Sequence, residues 1–477
     1  MRLDKLTHIY FLGIGGIGMS ALARYFHASG KIVCGYDKTQ TELTSELMAE
    51  GIAIHFEENS LLIPVAIRES SDKENILVVW TPAVPVEHSE LLWFQKNGFS
   101  IMKRAQVLGL IVGQSKTIAV AGTHGKSTTT TLIAHILRTA KIDCSAFLGG
   151  ISRNYNTNLL LGKSLGNENV PIENNIVVAE ADEYDRSFLW LHPSIAIITS
   201  VDADHLDIYG DENAMHNSYR DFVKQVVDKV ITKPQVIETL QLPKDKRLIS
   251  YSLDNKETDC FAENIRIDDG YYAFDLVVFE SRISNLKLGL PGRHNVENAV
   301  AAVAAAKQVG VDDESIRKAL TSFKGVKRRF DFRIRNPKII FIDDYGHHPA
   351  ELFACISSVK ELFPGKKVTG VFQPHLFSRT RDFADDFARS LELLDDVVLL
   401  DIYPAREKPI PGISSSMLLE KIQGRKKSLY SKSELVKKVT EHDFDVLVTM
   451  GAGDIDQLVE PLEKSLREKF KIGEIRS

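Results

Sequence analysis

The sequence predicts a three-domain α/β protein. With 477 residues, the chain is too long for one hydrophobic core. Short apolar runs alternate with stretches of helical periodicity, and two of these runs turn through glycines directly into a helix. We therefore expect a Rossmann-like N-terminal domain (1–106), a central P-loop ATPase-like domain with a mixed sheet (107–325), and a Rossmann-like C-terminal domain (326–477).

The composition is that of a soluble globular protein, with 44% hydrophobic and 26% charged residues. The 59 basic and 64 acidic residues form no long basic stripe, which argues against a nucleic-acid partner. The four cysteines form no CxxC pair, as expected in a reducing compartment. No apolar run approaches the ~20 residues of a membrane helix, and the N-terminus does not resemble a secretion signal. We expect a cytoplasmic monomer or homodimer with no membrane partner.

The first segment begins with a strand at 8–12 and a helix whose apolar face carries Met19, Leu22, Ala23 and Phe26. Between them, three glycines fit G-x-G-x-x-G, and a second strand ends at Asp37, the spacing of an acid that binds a ribose. Taken alone, this pattern indicates NAD. The same geometry accommodates any diphosphate at a helix N-terminus, so a dinucleotide and a UDP-sugar both remain open. The three glycines are Gly13, Gly15 and Gly18.

The second segment carries the strongest local signal, the loop Gly122-Thr123-His124-Gly125-Lys126-Ser127 between an apolar strand and a helix. Glycines let backbone N–H groups approach phosphates, Lys126 adds a charge, and the Ser127 hydroxyl suits Mg²⁺. The loop departs from G-x-x-x-x-G-K-[ST], because only two residues separate its glycines. An ordinary glycine turn is the alternative, but the flanking strand and helix favour an ATP site.

Two later strands of this segment end in acids, at EADEYD (180–185) and DADHLD (202–207). Ligands bind outside the carboxyl ends of such strands, where Glu180 and His205 could hold Mg²⁺. Asp182 and Asp185 are interpreted as solvated loop acids. The stretch 228–290 alternates apolar and polar residues, which favours antiparallel strands, and an alanine-rich helix is expected at 295–309.

The third segment predicts strands within 338–346, 367–375, 395–404 and 445–454. His347 and His348 follow the first of them, without the cysteines or HExxH pattern of a zinc site. Arg379 and Arg381 follow the second. An arginine there could bind a carboxylate through two parallel hydrogen bonds, although a solvated helix face is equally typical of Arg381.

Nine motifs in order resemble the muramyl ligase family over nearly the whole chain. They are GIGGIGMSALA (13–23), AGTHGKSTTT (121–130), EADEYDRSF (180–188), DADHLDIYG (202–210), GRHNVENAVAA (292–302), KRRFD (327–331), DDYGHHP (343–349), FQPHLFSRTRD (372–382) and MGAGD (450–454). The resemblance implies a UDP-sugar domain, an ATP domain and an amino-acid domain. It also implies that L-alanine is joined to the lactyl carboxyl of UDP-N-acetylmuramate for peptidoglycan synthesis, with ATP and Mg²⁺.

The resemblance also implies roles for individual residues. Those implied to bind UDP are Gly13, Gly15, Gly16, Ile17, Gly18, Asp37, Thr81 and Ala83. Those implied to bind ATP are Gly122, Thr123, His124, Gly125, Lys126, Ser127, Thr128, His294, Asn298, Arg329 and Asp344. Those implied to hold Mg²⁺ are Ser127, Glu180 and His205, and those implied in catalysis are Lys126, Tyr345, His347 and Arg379.

Two departures and three alternatives accompany the resemblance. Many family members have arginine where this chain has Leu376, so one carboxylate contact is missing or supplied elsewhere. Related ligases carry a carbamoylated lysine, and here the nearest candidate, Lys224, lies at an uncertain register.

The alternatives are a ligase that adds a recycled tripeptide to the same UDP-sugar, an NAD-dependent dehydrogenase with an accessory ATPase domain, and a catalytically silent nucleotide-binding protein. We also expect the domains to close on substrate.

Overall fold

The structure is a computed structural model that describes residues 3–113, 115–163, 171, 174–203, 206–243, 245, 247–405 and 407–473. It divides into two compact units. The first comprises 1–264, 274–286 and 297–323, and the second comprises 265–273, 287–296 and 324–477. The predicted boundary at 325/326 lies two residues from this division, whereas the boundary at 106/107 falls inside the first unit and stays a prediction.

The N-terminal sheet is fully parallel, in the order β3-β2-β1-β4-β5. Its strands are β1 (His8–Leu12), β2 (Ile32–Tyr36), β3 (Ala53–His55), β4 (Ile76–Trp80) and β5 (Ser100–Lys103). Its helices are α1 (Ile17–Ala28), α2 (Glu42–Ala49), α3 (Val65–Arg68), α4 (Ser89–Lys96) and α5 (Arg104–Val112). The predicted apolar face of α1 is buried. Since β2 and β4 lie on opposite sides of the central strand β1, the connections that lead to them run in opposite directions and leave a crevice at the carboxyl end of β1.

The central sheet is mixed, in the order β15-β14-β13-β12-β11-β10-β6-β9-β7-β8. Its strands are β6 (Lys116–Ala121), β7 (Cys144–Ser152), β8 (Thr157–Leu160), β9 (Ile176–Glu180), β10 (Ile195–Ile198), β11 (Lys229–Thr232), β12 (Leu248–Ser252), β13 (Cys260–Asp268), β14 (Tyr271–Val278) and β15 (Ser281–Leu288). The associated helices are α6 (Lys126–Thr139), α7 (Leu206–Tyr209), α8 (Glu212–Gln225), α9 (Pro234–Leu240), α10 (Arg293–Lys307) and α11 (Asp313–Ser322).

The expectation of antiparallel strands throughout 228–290 is wrong for its first half. β11 pairs in parallel with β10, β12 with β11, and β13 with β12. Helices α8 and α9 supply two of the crossovers that parallel pairing requires. Only the two-residue connections from β13 to β14 and from β14 to β15 are short enough to demand antiparallel pairing.

The C-terminal sheet has the order β16-β17-β21-β18-β19-β20, with β16 as an antiparallel edge strand and the rest parallel. Its strands are β16 (Asp331–Asn336), β17 (Ile339–Asp344), β18 (Val368–Phe372), β19 (Asp396–Leu399), β20 (Lys426–Leu429) and β21 (Val446–Met450). Its helices are α12 (Pro349–Leu362), α13 (Phe377–Asp382), α14 (Ala384–Leu391), α15 (Ser415–Lys421), α16 (Lys432–Thr440) and α17 (Asp456–Phe470). All four predicted strands are present. The two edge strands went unpredicted because their polar residues hide the apolar signal.

Short 3₁₀ helices complete the described chain, at Leu3–Lys5, Ser60–Leu62, Lys73–Asn75 and Tyr184–Trp190. Across the residues that the structure describes, no helix has the length and apolar character needed to cross a bilayer. The α/β prediction is confirmed by three separate sheets, each flanked in sequence by helices.

Candidate active site

The loop after β6 has the geometry of a phosphate-binding loop. Gly122 has φ +126, and a β-carbon there would collide with the Thr199 hydroxyl and lie 2.9 Å from the Ser200 nitrogen. Helix α6 begins at Lys126, so Ser127 and Thr128 lie in its first turn, both largely buried. The loop therefore meets a helix N-terminus whose free N–H groups favour an anion.

Hydroxyl groups from the end of β10 hold this loop in shape. The Thr123 hydroxyl lies 2.8 Å from that of Ser200, which also accepts the His124 N–H at 3.1 Å. Thr199 donates to the His124 carbonyl. The sequence analysis missed Thr199 and Ser200, although their position at the end of a strand beside β6 is a recognisable signal.

Lys126 is held by a buried carboxylate. Its Nζ lies 2.7 Å from Glu183 Oε1 and 2.6 Å from the Gly122 carbonyl. The Lys126 and Glu183 side chains are 14% and 2% exposed. Burial disfavours the charged amine, but the carboxylates of Glu183 and Glu180 outweigh this effect and raise the pKa of Lys126. The cation that would meet ATP phosphates is thus preformed and neutralised by the protein.

The predicted metal ligands Ser127 and Glu180 come from neighbouring elements. Glu180 ends β9 and pairs in register with Val120 of β6, two residues before the loop. A hydroxyl and a carboxylate are hard oxygen ligands suited to Mg²⁺, which takes its remaining ligands from water and phosphates. His205 lies outside the described residues. Within the described ranges, no group of three or more His, Cys, Asp or Glu side chains could hold a metal on its own.

The glycine loop after β1 is tied to the end of β2. Asp37 Oδ2 accepts the Gly15 N–H at 2.7 Å, and Asp37 Oδ1 accepts the Thr39 N–H at 3.0 Å. Both oxygens keep a lone pair for a ribose hydroxyl. Helix α1 begins at Ile17 with no side-chain cap, so its first N–H groups are available to a ligand.

One cavity of about 650 Å³ joins this loop to the proposed metal ligand. Gly13, Gly16, Ile17, Gly18 and Asp37 line one part of it, together with Thr81 and Ala83. Gly149 and Glu180 line another part. Seven of the eight residues predicted to bind UDP thus share a single cavity with Glu180, and the eighth, Gly15, bonds to Asp37 in its wall.

The interpretation of Asp182 and Asp185 as solvated loop acids is wrong, because both form ion pairs. Asp182 Oδ2 lies 2.9 Å from Arg104 Nη2, and Asp185 Oδ2 lies 2.6 Å from Lys103 Nζ. Both acids are only partly exposed. The two cations lie where β5 ends and α5 begins. Lys103 and Arg104 were not predicted as site residues, since the strand that places them, β5, was not predicted either.

The second unit contains three of the four remaining predicted ATP ligands, namely His294, Arg329 and Asp344. Asp344, at the end of β17, accepts the N–H groups of Phe330 and Gly346, each at 2.7 Å. Burial raises the pKa of Asp344 to about 6, although Arg329 and the two N–H groups act in the opposite direction. The Arg329 guanidinium carbon lies 4.8 Å from the centroid of the Tyr345 ring.

His347 and Arg379 are brought together through His375. The rings of His347 and His375 are 5.9 Å apart, and Arg379 Nη1 lies 3.4 Å from His375 Nδ1. His347 Nδ1 lies 3.1 Å from the Tyr345 carbonyl oxygen, and the backbone N–H of His347 donates to the Glu351 carboxylate. These predicted catalytic residues therefore form one cluster at the carboxyl ends of β17 and β18.

Leu376, the position where the resemblance implies an arginine in many relatives, adopts φ +71 and precedes helix α13. Its N–H donates to the Tyr403 carbonyl at 2.9 Å. Arg379 lies one turn further on and is largely buried, whereas Arg381 pairs with exposed Asp382. The solvated interpretation therefore fits Arg381, and Arg379 is the arginine of this helix that contacts the cluster.

His294 and Asn298 lie one turn apart on α10. The Asn298 amide packs against Gly125, since a β-carbon there would lie 2.6 Å from Asn298 Oδ1. His294 Nδ1 lies 3.5 Å from the Ser358 hydroxyl. Burial lowers the pKa of His294 to about 4, so its ring is neutral near pH 7.

Comparisons with known proteins agree with this architecture. Three family models match in succession: the Mur ligase family catalytic domain at 8–116, the Mur ligase middle domain at 120–306, and the Mur ligase glutamate ligase domain at 328–453. The three-domain prediction is thereby confirmed.

Individual relatives match over almost their full length. The chain is 51% identical over 470 residues to the UDP-N-acetylmuramate–L-alanine ligase of Flavobacterium psychrophilum, covering 98% of this chain and 100% of that protein. It is 49% identical to the enzyme of the same name from Parabacteroides distasonis, covering 99% and 100%. The crystal structure of UDP-N-acetylmuramate-alanine ligase from Thermotoga maritima superposes with a TM-score of 0.79 at 28% identity, covering 97% of this chain and 99% of that one. Matched in sequence and in fold over nearly its whole length, the chain belongs to the muramyl (Mur) ligase family.

Proposed function

We propose that this protein joins L-alanine to the lactyl carboxyl of UDP-N-acetylmuramate, using ATP and Mg²⁺, as the first amino-acid addition to a peptidoglycan precursor. The observation that carries the proposal is the cavity shared by the glycine loop of α1 and by Glu180. An extended substrate could place its diphosphate at α1 and its carboxyl beside the phosphate-binding loop. The name shared by relatives about half identical to this chain supports the choice of L-alanine.

The chemistry requires activation of an unreactive carboxylate. A carboxylate oxygen attacks the γ-phosphorus of ATP, the bond to the β-phosphate oxygen breaks, and ADP leaves an acyl phosphate behind. The alanine amine then attacks the acyl carbon, loses a proton, and expels phosphate. Positioning and charge neutralisation supply most of the catalysis in such a phosphoryl transfer.

The residues of this chain suit these steps. Lys126 would exchange its contact with Glu183 for the phosphates of ATP. Ser127 and Glu180 would hold Mg²⁺, which supplies additional positive charge when bound. Asn298 would lie by the adenine with His294 nearby, Asp344 would accept a ribose hydroxyl, and Arg329 would contact phosphate.

In the second unit, Arg379 would bind a carboxylate, and Tyr345 and His347 would line the place where the amine meets the acyl carbon. The Arg379 guanidinium is suited to a carboxylate because it offers two parallel donors. His347 offers a ring nitrogen that could accept the proton of the amine.

The test is phosphate release by the purified full-length chain, with ATP, Mg²⁺ and UDP-N-acetylmuramate, across a panel of L-alanine, glycine, L-serine and the recycled tripeptide. We expect L-alanine to give the highest kcat/KM. Stimulation by tripeptide but not by L-alanine would overturn the proposal in favour of the tripeptide-adding ligase. Saturable NAD binding that the UDP-sugar fails to displace would instead indicate a dehydrogenase.

A further inference from the structure

Two cations beside the glycine loop have no role in the proposed function. Lys103 and Arg104 line the same cavity as Gly18. The Arg104 side chain packs against that glycine, since a β-carbon at Gly18 would lie 2.7 Å from Arg104 Nη1. Gly18 belongs to the first turn of α1. The guanidinium therefore lies beside the helix N-terminus where a diphosphate would bind.

Both cations are occupied by acids from one short segment. Asp182 pairs with Arg104 at 2.9 Å, and Asp185 pairs with Lys103 at 2.6 Å. Asp182 lines the cavity as well, so its carboxylate is a negative charge at the edge of the space open to a ligand. A carboxylate on a guanidinium occupies the place that a phosphate oxygen would take, because both groups accept parallel N–H donors.

The segment that carries these acids is held in an unfavourable backbone conformation. Asp185 and Arg186 have φ values of 54 and 53, the left-handed region that non-glycine residues seldom adopt. Two consecutive residues of this kind persist only where side-chain contacts hold them. Asp185 pairs with Lys103, and the Arg186 guanidinium lies over the Tyr209 ring.

The same pairs are exposed enough to be exchanged. The side chains of Lys103 and Asp185 are 39% and 31% exposed, and those of Arg104 and Asp182 are 20% and 37% exposed. Water screens pairs of this exposure, so each contributes little net stability. A diphosphate concentrates about two negative charges in one group, and the α1 N–H groups assist it. It should therefore outcompete two separate carboxylates.

We propose that Lys103 and Arg104 bind the diphosphate of the UDP-sugar, and that Asp182 and Asp185 occupy these cations until the substrate displaces them. This inference rests on the proposed function, because it takes the anion to be a nucleoside diphosphate. The carboxylates of Asp182 and Asp185 then compete with the diphosphate for the same two cations, and this competition lowers the affinity of the cavity for its anionic ligand.

The experiment measures binding of UDP, and of uridine as the phosphate-free probe, to the full-length chain by calorimetry without ATP. The double variant Asp182→Asn/Asp185→Asn removes the competing charges and should bind UDP about three- to tenfold more tightly, with uridine unchanged. The variant Lys103→Gln/Arg104→Gln should bind UDP about tenfold or more weakly, again with uridine unchanged. As a charge-matched control, Asp221→Asn removes an acid paired at 2.8 Å with Lys224 on α8, outside the cavity, and should leave both affinities within about twofold.

Unchanged or weaker UDP binding in the double asparagine variant would overturn the inference, provided that its thermal unfolding matches that of the wild type. If the double asparagine variant unfolds at a lower temperature than the wild type, the Lys103→Gln/Arg104→Gln variant is the test instead. An unchanged UDP affinity in that variant would also overturn the inference. Failure of the inference is distinct from failure of the proposed function. If only the inference fails, the wild type binds UDP and the variants do not differ from it. If the proposed function fails, either the wild type binds neither UDP nor uridine, or it binds UDP while phosphate release requires the tripeptide rather than L-alanine.

Discussion

The buried pair of Lys126 and Glu183 makes a quantitative prediction about the ligand-free protein. Replacing Lys126 with Met keeps the length of the side chain but removes its charge. The Glu183 carboxylate, 2% exposed, then loses the cation that lies 2.7 Å away. Removing one partner of a buried ion pair costs about 3–5 kcal/mol, because the remaining charge stays desolvated. For a cooperative unit of about 150–250 residues this corresponds to a fall in Tm of about 6–20 °C.

Thermal unfolding without nucleotide, followed by circular dichroism, measures this effect. The variant Lys224→Ala is the control, since it breaks a lysine–aspartate pair whose side chains are 74% and 58% exposed, and should cost at most about 1 kcal/mol. The double variant Lys126→Met/Glu183→Gln removes both charges and should regain most of the lost stability while remaining inactive in ligation.

A Lys126→Met protein whose free energy of unfolding lies within about 1 kcal/mol of the wild type, or one that Glu183→Gln does not rescue, would contradict a stabilising buried ion pair. A second readout concerns binding. The Lys126→Met protein should lose its stabilisation by MgATP but keep that by UDP-N-acetylmuramate, because the two ligands contact different loops. Loss of both would contradict the assignment of separate sites.

Three further predictions concern other residues. Because the pKa of Asp344 is raised to about 6, its carboxylate is protonated below that pH and loses acceptor capacity for the ATP ribose. The Kd for ATP should therefore rise about fivefold from pH 6 to pH 5, beyond any rise seen with Asp344→Asn, and equal pH profiles would refute the assignment. Glu90 is buried against the Tyr10 hydroxyl at 2.6 Å, and burial raises its pKa to about 7 from an ordinary 4.5. Because the folded state favours the neutral form of Glu90, the free energy of unfolding should fall by about 3 kcal/mol as the pH rises from below 4.5 to 7. Urea unfolding of the Glu90→Gln variant should show no such fall. Arg379→Lys should lower kcat/KM for L-alanine about ten- to hundredfold with ATP binding unchanged, because lysine cannot offer two parallel donors; wild-type kinetics would exclude a carboxylate contact.

Local patterns were sufficient for much of the fold and for both glycine loops. The apolar face of α1, the four central strands of the C-terminal sheet and the start of α6 at Lys126 follow from periodicity within about a dozen residues. The phosphate loop was recognisable because its requirements, close backbone approach and a helix N-terminus, are met within six consecutive residues. The direction of β11 and β12 was predicted wrongly, because alternation along one strand does not reveal which way its neighbour runs.

The chain's membership of its family and the ends of its strands were readable from the residues alone, because motif order and hydrophobic period are properties of the linear chain. Which charges meet was decided by the tertiary structure. Glu183 holds Lys126 across 57 residues, and Asp182 and Asp185 reach Arg104 and Lys103 across 78 and 82. Such pairs depend on strand order and on how helices pack over the sheet, neither of which a local pattern encodes. For that reason Asp182 and Asp185, which the sequence assigned to solvent, became in the folded chain the partners of the cations beside the proposed diphosphate site.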